Sequence, residues 1–320
     1  MTSTVASARP GTGSDGVLAP YVRRPGRGGA ALRARLTPYA YVSPTVVLMI
    51  VLILIPVVTV IYYSVMDNVI VNKHPAFVRF DNYTEVLTSP EFRTAIKNTS
   101  FFTGASVVAH LVIGLSFAML LNTELLGPGV KALFRAIYVL PWLFTVAIIA
   151  VVWRLLLNPN GIVNYLLSST GLSDGDIEWL SDPGKALFAV TFINIWAGYP
   201  FFMMSLLAGL QGISGDLYEA AMVDGASGLR RFVHITLPQL KPIIVAMVVL
   251  DILWTTQQFA LIWMTTGGGP LDRTEMLSTY TYKWAFSRYE YSIASASAVV
   301  ILLLSLVLAV FYVRHQKARD

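Results

Sequence analysis

Long apolar stretches separated by short polar segments dominate the pattern of this chain. Six of them are long enough to cross a bilayer, since a helical span needs about 20 apolar residues. They cover residues 42–65, 98–122, 134–157, 186–211, 240–264 and 291–313. The pattern therefore predicts an all-α integral membrane protein, with six transmembrane helices forming one domain over residues 39–320.

The segment before the first apolar run has a different character. Residues 1–38 are rich in Gly, Ala, Pro and Arg, with six arginines, one acidic residue and no sustained hydrophobic period. This composition predicts a disordered basic tail. The apolar run that starts near Tyr41 is longer than a signal-peptide core of about 7–15 residues, so a cleaved secretion signal is not expected.

Composition agrees with a membrane protein and narrows its partners. Hydrophobic residues make up 55% of the 320 residues and charged residues 13%, too apolar for one soluble core. The absence of cysteine excludes disulfides, thiolate metal sites and a cysteine nucleophile. The net charge of +5 comes from basic residues beside the spans, so we expect contact with membrane lipid and not with nucleic acid.

The distribution of Lys and Arg predicts the orientation. Segments 1–38, 123–135, 212–241 and 314–320 hold fourteen of these residues, whereas 66–97, 158–185 and 265–290 hold eight. Positive residues accumulate on the cytoplasmic side, so both termini are predicted to be cytoplasmic. The segment 158–185 carries four acidic residues against the single Lys185, which agrees with an external position.

The chain lacks the common motifs of nucleotide, metal and nucleophilic chemistry. It has no Gly-x4-Gly-Lys-Ser/Thr loop, so any ATP must bind to another subunit. Its four histidines show no metal-binding spacing, and no Gly-x-Ser-x-Gly motif is present. We therefore expect no enzyme activity, metal or cofactor on this chain.

Polar residues inside apolar spans are costly and mark candidate binding sites. Asp251 lies within the fifth run, and Trp254, Thr255 and Gln258 follow at i+3, i+4 and i+7, so the four are predicted to share one helical face. A ring beside carboxylate, hydroxyl and amide groups suits a sugar. The alternative is a polar stripe that only joins this helix to its neighbours.

Two residues of the fourth run are expected at a similar depth. Asn194 lies about eight residues, roughly 12 Å, from the start of this run, and Gly198 follows one turn later. The overlap with the depth of the fifth-run face makes both residues candidates for the same site.

The polar segment between the fourth and fifth runs predicts a rigid elbow. Ala220, Ala221 and Met222 favour a helix, Gly225 allows a bend with positive φ, and Pro238 restricts the chain that follows. A plain surface loop is the alternative interpretation.

The elbow also carries a family motif. Glu219-Ala220-Ala221, three residues, Gly225, nine residues and Ile235-Thr236-Leu237-Pro238 resemble the signature loop of the membrane permease subunits of bacterial ATP-binding-cassette importers. The resemblance implies a cytoplasmic coupling-helix loop over 212–241 that docks on an ATPase subunit. The implied coupling residues are Glu219, Ala220, Ala221, Asp224, Gly225, Ile235, Leu237 and Pro238.

Other segments resemble the sugar-importing members of that family, of the maltose/glycerol-3-phosphate type. Asn194-x-Trp196-x-Gly198-Tyr199-Pro200 matches a segment whose Asn and Gly positions border the sugar, and Thr265 to Pro270 looks like an outer loop of one permease of a pair. Leu140-Pro141-Trp142 matches a segment whose aromatic residue lines the cavity. Asp251 departs from the pattern, because the maltose-type relative has a small hydroxyl residue there.

The resemblance implies a function and a set of partners. The chain would be a permease subunit of an ATP-driven sugar importer in the bacterial cell membrane, forming half of the path. A second permease, an ATPase dimer that binds ATP-Mg and an extracytoplasmic sugar-binding protein would complete it. The predicted cavity face has no Lys or Arg, so a neutral sugar is expected rather than an anion. The alternatives are a proton-coupled secondary transporter with Asp251 and His110 as relay, and a structural scaffold.

Overall fold

The computed structural model describes residues 27–123, 126–173 and 176–317. Within these ranges the chain is almost wholly helical, and its only β pairing is an isolated bridge between Met66 and Phe77. Contacts divide the chain into two units, Met1–Val57 and Val58–Asp320. The predicted all-α class is confirmed.

The first unit contains helix α1 (Arg27–Met49), a π-helical turn (Ile50–Leu54) and the start of α2 (Ile55–Tyr63). An apolar span runs from Leu36 to Tyr63, near the predicted 42–65. Of the predicted tail, residues 1–26 lie outside the described residues, while 27–38 belong to α1 rather than to a disordered segment. The helix-forming sequence Ala30-Ala31-Leu32 favours this earlier start.

The second unit begins with the short α3 (Asp81–Thr88) and the long α4 (Pro90–Asn122). The hydroxyl of Ser89 caps α4 by accepting the backbone N–H of Phe92 at 3.0 Å, and Pro90 occupies the first turn, where its missing donor costs nothing. The helix contains the predicted run 98–122 and starts earlier, because the cap is at Ser89.

The third predicted run is not one continuous helix. It forms α5 (Pro128–Leu143) and α6 (Val146–Leu156), which meet at an angle of 98°. Pro141 removes a backbone donor near the end of α5. Thr145 then caps α6, with its Oγ1 3.4 Å from the backbone N of Ile148. The single span predicted over 134–157 is therefore a bent pair.

Helix α7 (Ile162–Ser169) lies in the next loop, and α8 (Ala186–Gln211) matches the predicted run 186–211. Helices α4 and α8 make the most extensive helix–helix contact of this unit. They approach closely at Gly114, where an added Cβ would lie 2.5 Å from the Cβ of Phe202. Phe202, Met203 and Leu206 fill the core beside this point.

The elbow contains α9 (Gly215–Val223) and α10 (Gly228–Arg231), followed by a π-helical turn (Phe232–Thr236) and α11 (Leu237–Thr256). Together the last three form an apolar span from Gly228 to Thr256, so the fifth run predicted over 240–264 starts and ends too late. A break at residues 257–259 separates α11 from α12 (Ala260–Thr265).

The chain continues through α13 (Leu277–Tyr282) and a π-helical turn (Lys283–Ser287) to α14 (Tyr291–Lys317). The apolar part of α14 is Tyr291–Val310. Five described helices are long and apolar enough to cross a membrane, and the bent pair gives a sixth span if it counts as one.

Candidate functional site

A buried hydrogen-bonded group joins three helices of the second unit. The His110 ring of α4, 2% exposed, places Nδ1 2.8 Å from Oδ2 of Asp251 on α11 and Nε2 3.1 Å from the backbone oxygen of Asn194 on α8. Thr255 donates to the other oxygen of Asp251 at 3.1 Å, and the Asn194 amide donates to Ser106 at 3.0 Å. We call these five residues the three-helix clip.

The partners of His110 constrain its protons. The Asn194 carbonyl can only accept, so Nε2 carries a proton. The second proton lies between Nδ1 and the carboxyl of Asp251, which gives either an ion pair or a neutral pair. Both arrangements satisfy the two buried groups, and removal of either partner leaves a buried polar atom of the other without its hydrogen bond.

Gly198 packs against the His110 ring of this clip, and its contact with a sugar stays a prediction. A Cβ at this position would overlap Nε2 and Cε1 of the His110 ring. The predicted sugar residues Asn194, Asp251 and Thr255 are likewise buried, with 6%, 7% and 6% exposure. The structure therefore brings these residues together as predicted, but it gives both oxygens of Asp251 partners within the chain.

Trp254 lies on a different surface from Asp251. Its ring is 57% exposed and lies 5.5 Å from the ring of Phe201, which in turn lies 6.3 Å from that of Trp142, 55% exposed. We call these three rings, from α5, α8 and α11, the aromatic face. Trp142 and Trp254 were predicted from the sequence, whereas Phe201, which directly follows the Gly198-Tyr199-Pro200 segment, was not.

Gln258 departs from the predicted helical face. Because α11 ends at Thr256, Gln258 does not continue the stripe of Asp251 and Thr255, and it is half-buried in the break before α12. Its backbone oxygen accepts the hydroxyl of Ser278 at 2.7 Å. The i+7 relation failed because it assumed an unbroken helix through residue 258.

A polar stripe on α4 was also missed. Asn98, Thr99, Thr103, Ser106 and His110 follow one another at helical spacing, and all are buried. Asn98 donates to the backbone oxygens of Asp272 and Glu275, and Ser106 and His110 belong to the clip. The spacing of these polar residues within the second apolar run was the available signal.

The elbow has the predicted bend. Gly225 adopts φ +75°, as expected for the hinge position. It is the C′ residue of a Schellman motif, because the N–H of Ala226 donates to the oxygen of Ala221 at 2.8 Å and that of Gly225 to Met222 at 3.0 Å. The hydroxyl groups of Tyr218 and Thr236 form a hydrogen bond of 2.9 Å, which links α9 to the residue directly before α11.

The elbow exposes the residues of the motif. Glu219, Ala220, Asp224, Gly225 and Pro238 are exposed, and Ala221, Ile235 and Leu237 are half-buried. Val223 and Leu229 are 89% and 74% exposed, so apolar side chains lie beside the charged ones. Glu219 has no ion pair within the described part of the chain. This surface can therefore receive a partner.

A buried ion pair holds the loop after α12. Glu275 is 2% exposed and forms an ion pair with Lys283. Gly268 lies directly against this pair with a φ of +90°, and any side chain on Gly268 would overlap the Glu275 carboxylate. Burial raises the pKa of the Glu275 carboxyl, while Lys283 acts in the opposite direction. Among the described residues, no group of three or more His, Cys, Asp or Glu side chains could hold a metal.

Comparison with known families decides the class of the protein. Residues 110–319 match the family described as "Binding-protein-dependent transport system inner membrane component". The chain belongs to this family. The predicted resemblance is confirmed, and the chain is a membrane-embedded transport permease rather than an enzyme.

Known proteins are similar to this permease over most of its length. It is 37% identical over 247 residues to the trehalose/maltose transport system permease protein MalF of Thermococcus litoralis, covering 77% of this chain and 82% of the relative. It also resembles a crystal structure of a bacterial ATP-binding-cassette (ABC) transporter involved in the import of the acidic polysaccharide alginate. The TM-score is 0.78 with 25% identity, over 92% of this chain and 99% of that chain.

A second solved structure is the alginate ABC transporter in complex with an alginate pentasaccharide-bound periplasmic protein. The permease resembles it with a TM-score of 0.77 and 25% identity, over 90% of this chain and 96% of that chain. The bent pair, the three-helix clip and the elbow thus lie within a fold shared with importer components.

Proposed function

We propose that this permease forms half of the translocation path of an ATP-driven carbohydrate importer. Its relatives are named for trehalose, maltose and alginate, all of them carbohydrates. The observation that carries the proposal is the aromatic face of Trp142, Phe201 and Trp254, which three different helices present at the surface of the membrane-spanning unit.

The aromatic face suits a sugar for a physical reason. Sugar rings have apolar C–H faces, which pack well on indole and phenyl rings, while their hydroxyl groups need polar partners. The aromatic face has no cation of its own, so it favours a neutral sugar over an anion. A second permease on the opposite side would close the path and could supply further polar groups.

The three-helix clip has a supporting role in this proposal. Through His110, Asp251 and Asn194 hold α4, α8 and α11 together, while Thr255 donates to Asp251 within α11. Trp254 and Phe201 project from two of these helices. Direct sugar contact by Asp251, Asn194, Thr255 or Gln258 remains a prediction, and for the three clip residues it requires exchange of their present hydrogen bonds.

The elbow supports coupling to ATP hydrolysis. We infer that residues 212–241 dock on an ATPase dimer that binds ATP-Mg, with Glu219 meeting a basic group and Val223 and Leu229 entering an apolar groove. In this proposal the elbow and both termini lie in the cytoplasm, and the opposite loops contact an extracytoplasmic sugar-binding protein. The lysine and arginine distribution supports the same orientation.

A proton-coupled transporter is the second candidate, because the buried contact of His110 and Asp251 could hold a transferable proton. Membership in a binding-protein-dependent family favours the first proposal. The test is uptake of labelled sugars by the full complex in vesicles. ATP-dependent uptake without a pH gradient supports the importer, whereas gradient-driven uptake without ATP supports the alternative. Competition by glycerol-3-phosphate but not by sugars would reject a neutral carbohydrate.

A further inference from the structure

An apolar pocket opens where α8 begins, at one end of its membrane-spanning segment. It has a volume of about 520 Å³, and its described walls come from α6, α7, the loop before α8 and the first turns of α8. The lining includes Trp153, Val163, Trp179, Phe188 and Phe192, and Lys185 is the one charged residue among the described residues of the lining. We propose that this pocket binds one acyl chain of a membrane phospholipid, with the phosphate at Lys185.

The position of the pocket favours lipid over a water-soluble ligand. Helix α8 starts at Ala186, so the pocket lies where the span reaches the membrane surface. Trp153 and Trp179 line it at the level where aromatic belts occur. The described lining, Lys185 included, exposes almost no polar surface to the pocket, so a soluble metabolite would lose hydrogen bonds to water without replacement.

Helix α7 places the pocket within the membrane interface. Its Val163 and Leu167 line the pocket, while Ile162, Tyr165 and Leu166 are 49%, 66% and 53% exposed. A short helix that is apolar on the pocket side and on its exposed side is suited to the boundary of headgroups and acyl chains. A lipid lying against α7 would therefore have direct access to the pocket.

The pocket is preformed by buried hydrogen bonds. Asn164, 3% exposed, donates to the backbone oxygens of Pro159 and Ile177, both at 2.9 Å, and accepts the indole N–H of Trp179 at 2.8 Å. These contacts hold α7 and Trp179 in position around the open space. A fixed apolar cavity gains binding energy from an acyl chain without the cost of ordering its walls.

Lys185 supplies the charge that a phospholipid requires. Its Nζ donates to Asp182 at 2.5 Å, and the side chain is 46% exposed. An ammonium group has three donors, so two remain for a phosphate oxygen at the mouth of the pocket. Basic residues at the ends of spans bind lipid headgroups in this way.

The experiment uses the full transporter complex and phosphatidylglycerol vesicles that carry brominated acyl chains, which quench nearby tryptophans. Val163→Phe fills the pocket from α7, and Ile162→Phe is the control, since Ile162 is exposed beside it but does not line it. We expect Val163→Phe to reduce both the quenching and the lipid retained in native mass spectrometry several-fold, with Ile162→Phe unchanged. Lys185→Gln should reduce the amount of retained lipid more than Asp182→Asn does.

Three outcomes would overturn the proposal. Equal lipid retention in the two phenylalanine variants would place the lipid elsewhere. Loss of the second permease from the Val163→Phe complex, with lipid retention intact, would assign the pocket to a protein partner. Quenching that survives in Val163→Phe but disappears in Ile162→Phe would place the acyl chain on the exposed side of α7. None of these results depends on which substrate is transported.

Discussion

The imidazole ring of His110 occupies the space that a side chain on Gly198 would need. One residue on α4 and one on α8 therefore determine each other: the missing Cβ makes room for the ring, and the ring hydrogen-bonds to Asn194 one turn earlier on α8. Through Asp251 the same ring reaches α11. The contact of His110 with Gly198 therefore determines both how α4 packs on α8 and where the helices hold the proposed sugar surface.

Gly198→Ala should displace the His110 ring and break the three-helix clip. We expect a loss of roughly 1–3 kcal/mol from overpacking, measured as thermal stability of the purified complex. Gly104→Ala on α4 is the matched control, because no atom lies within 4 Å of the Cβ it adds. In a His110→Ala background the effect of Gly198→Ala should shrink, since the two residues are coupled. Simple additivity would contradict the contact.

Removing one member of the buried pair should cost more than removing both. His110→Leu leaves Asp251 buried without His110, which typically costs about 3–5 kcal/mol, whereas the apolar double variant His110→Leu with Asp251→Leu should be less destabilised. Thermal stability in a four-variant cycle measures this difference. A loss in the double variant equal to the sum of the two single losses would indicate that the two groups act independently.

Most of this architecture could be predicted from the sequence because apolar length alone marks the spans. The bend between α5 and α6 could not be placed by apolar length, since Pro141 and Thr145 act locally within a continuous apolar run. The end of α11 at Thr256 was missed for the same reason. Hydropathy describes how much of a run is apolar, and it does not describe where its backbone bonds are interrupted.

The candidate site residues also differ in whether local sequence was enough to predict their structure. Gly225 and its positive φ followed from a short local motif and were confirmed, because a bend after a short helix needs that backbone freedom. The separation of Trp254 from Asp251 depended on which neighbouring helix each residue faces. That information comes from contacts with His110 and Phe201, which lie far from residues 251–254 in the sequence, so the pattern of the fifth run could not show it.

Gly225→Val should uncouple ATP hydrolysis from transport while the permease still reaches the membrane. The φ of +75° costs a residue with a branched Cβ about 1–2 kcal/mol, so the Schellman motif should open and turn the elbow. The ratio of sugar transported to ATP hydrolysed in vesicles measures the effect. Gly228→Val is the control in the same elbow, since Gly228 has open space around it and no positive φ. A wild-type ratio in Gly225→Val would contradict the role of the bend.

Glu219→Ala should loosen the ATPase from the complex. If Glu219 enters a partly buried pair at the docked surface, its loss typically costs about 3–5 kcal/mol, whereas an exposed pair is worth less than about 1 kcal/mol. Co-purification of the ATPase with the permease measures the difference. Asp216→Ala on the same helix serves as the control, and unchanged co-purification of both variants would reject a buried contact of Glu219.

The loop after α12 should lose stability as the pH rises. Burial raises the pKa of the Glu275 carboxyl above its usual value of 4.5, and Asp272 adds to this effect while Lys283 opposes it. A raised pKa in the folded state stabilises the fold fully below about pH 4.5, and this contribution is lost as the pH rises through the raised pKa. Thermal unfolding from pH 4.5 to 8 should show the decline in the wild-type complex.

Glu275→Gln should remove that pH dependence, because the amide does not ionise. Asp272→Asn is the comparison variant and should reduce the decline only in part, since Asp272 is 52% exposed and lies 3.5 Å from the same Lys283. A decline that persists in Glu275→Gln at the wild-type size would assign the dependence to another group.

The most direct test of the central claim is the amount of sugar transported per ATP in vesicles that contain the full complex with Trp254→Ala. Stacking on an aromatic ring is worth about 0.5–1.5 kcal/mol, so this ratio should fall by roughly 2- to 10-fold. Trp254→Phe should restore it, and Leu303→Ala, at another exposed position, should not change it. A wild-type ratio in Trp254→Ala, and again in Trp142→Ala and Phe201→Ala, would contradict the proposal that the aromatic face carries the sugar.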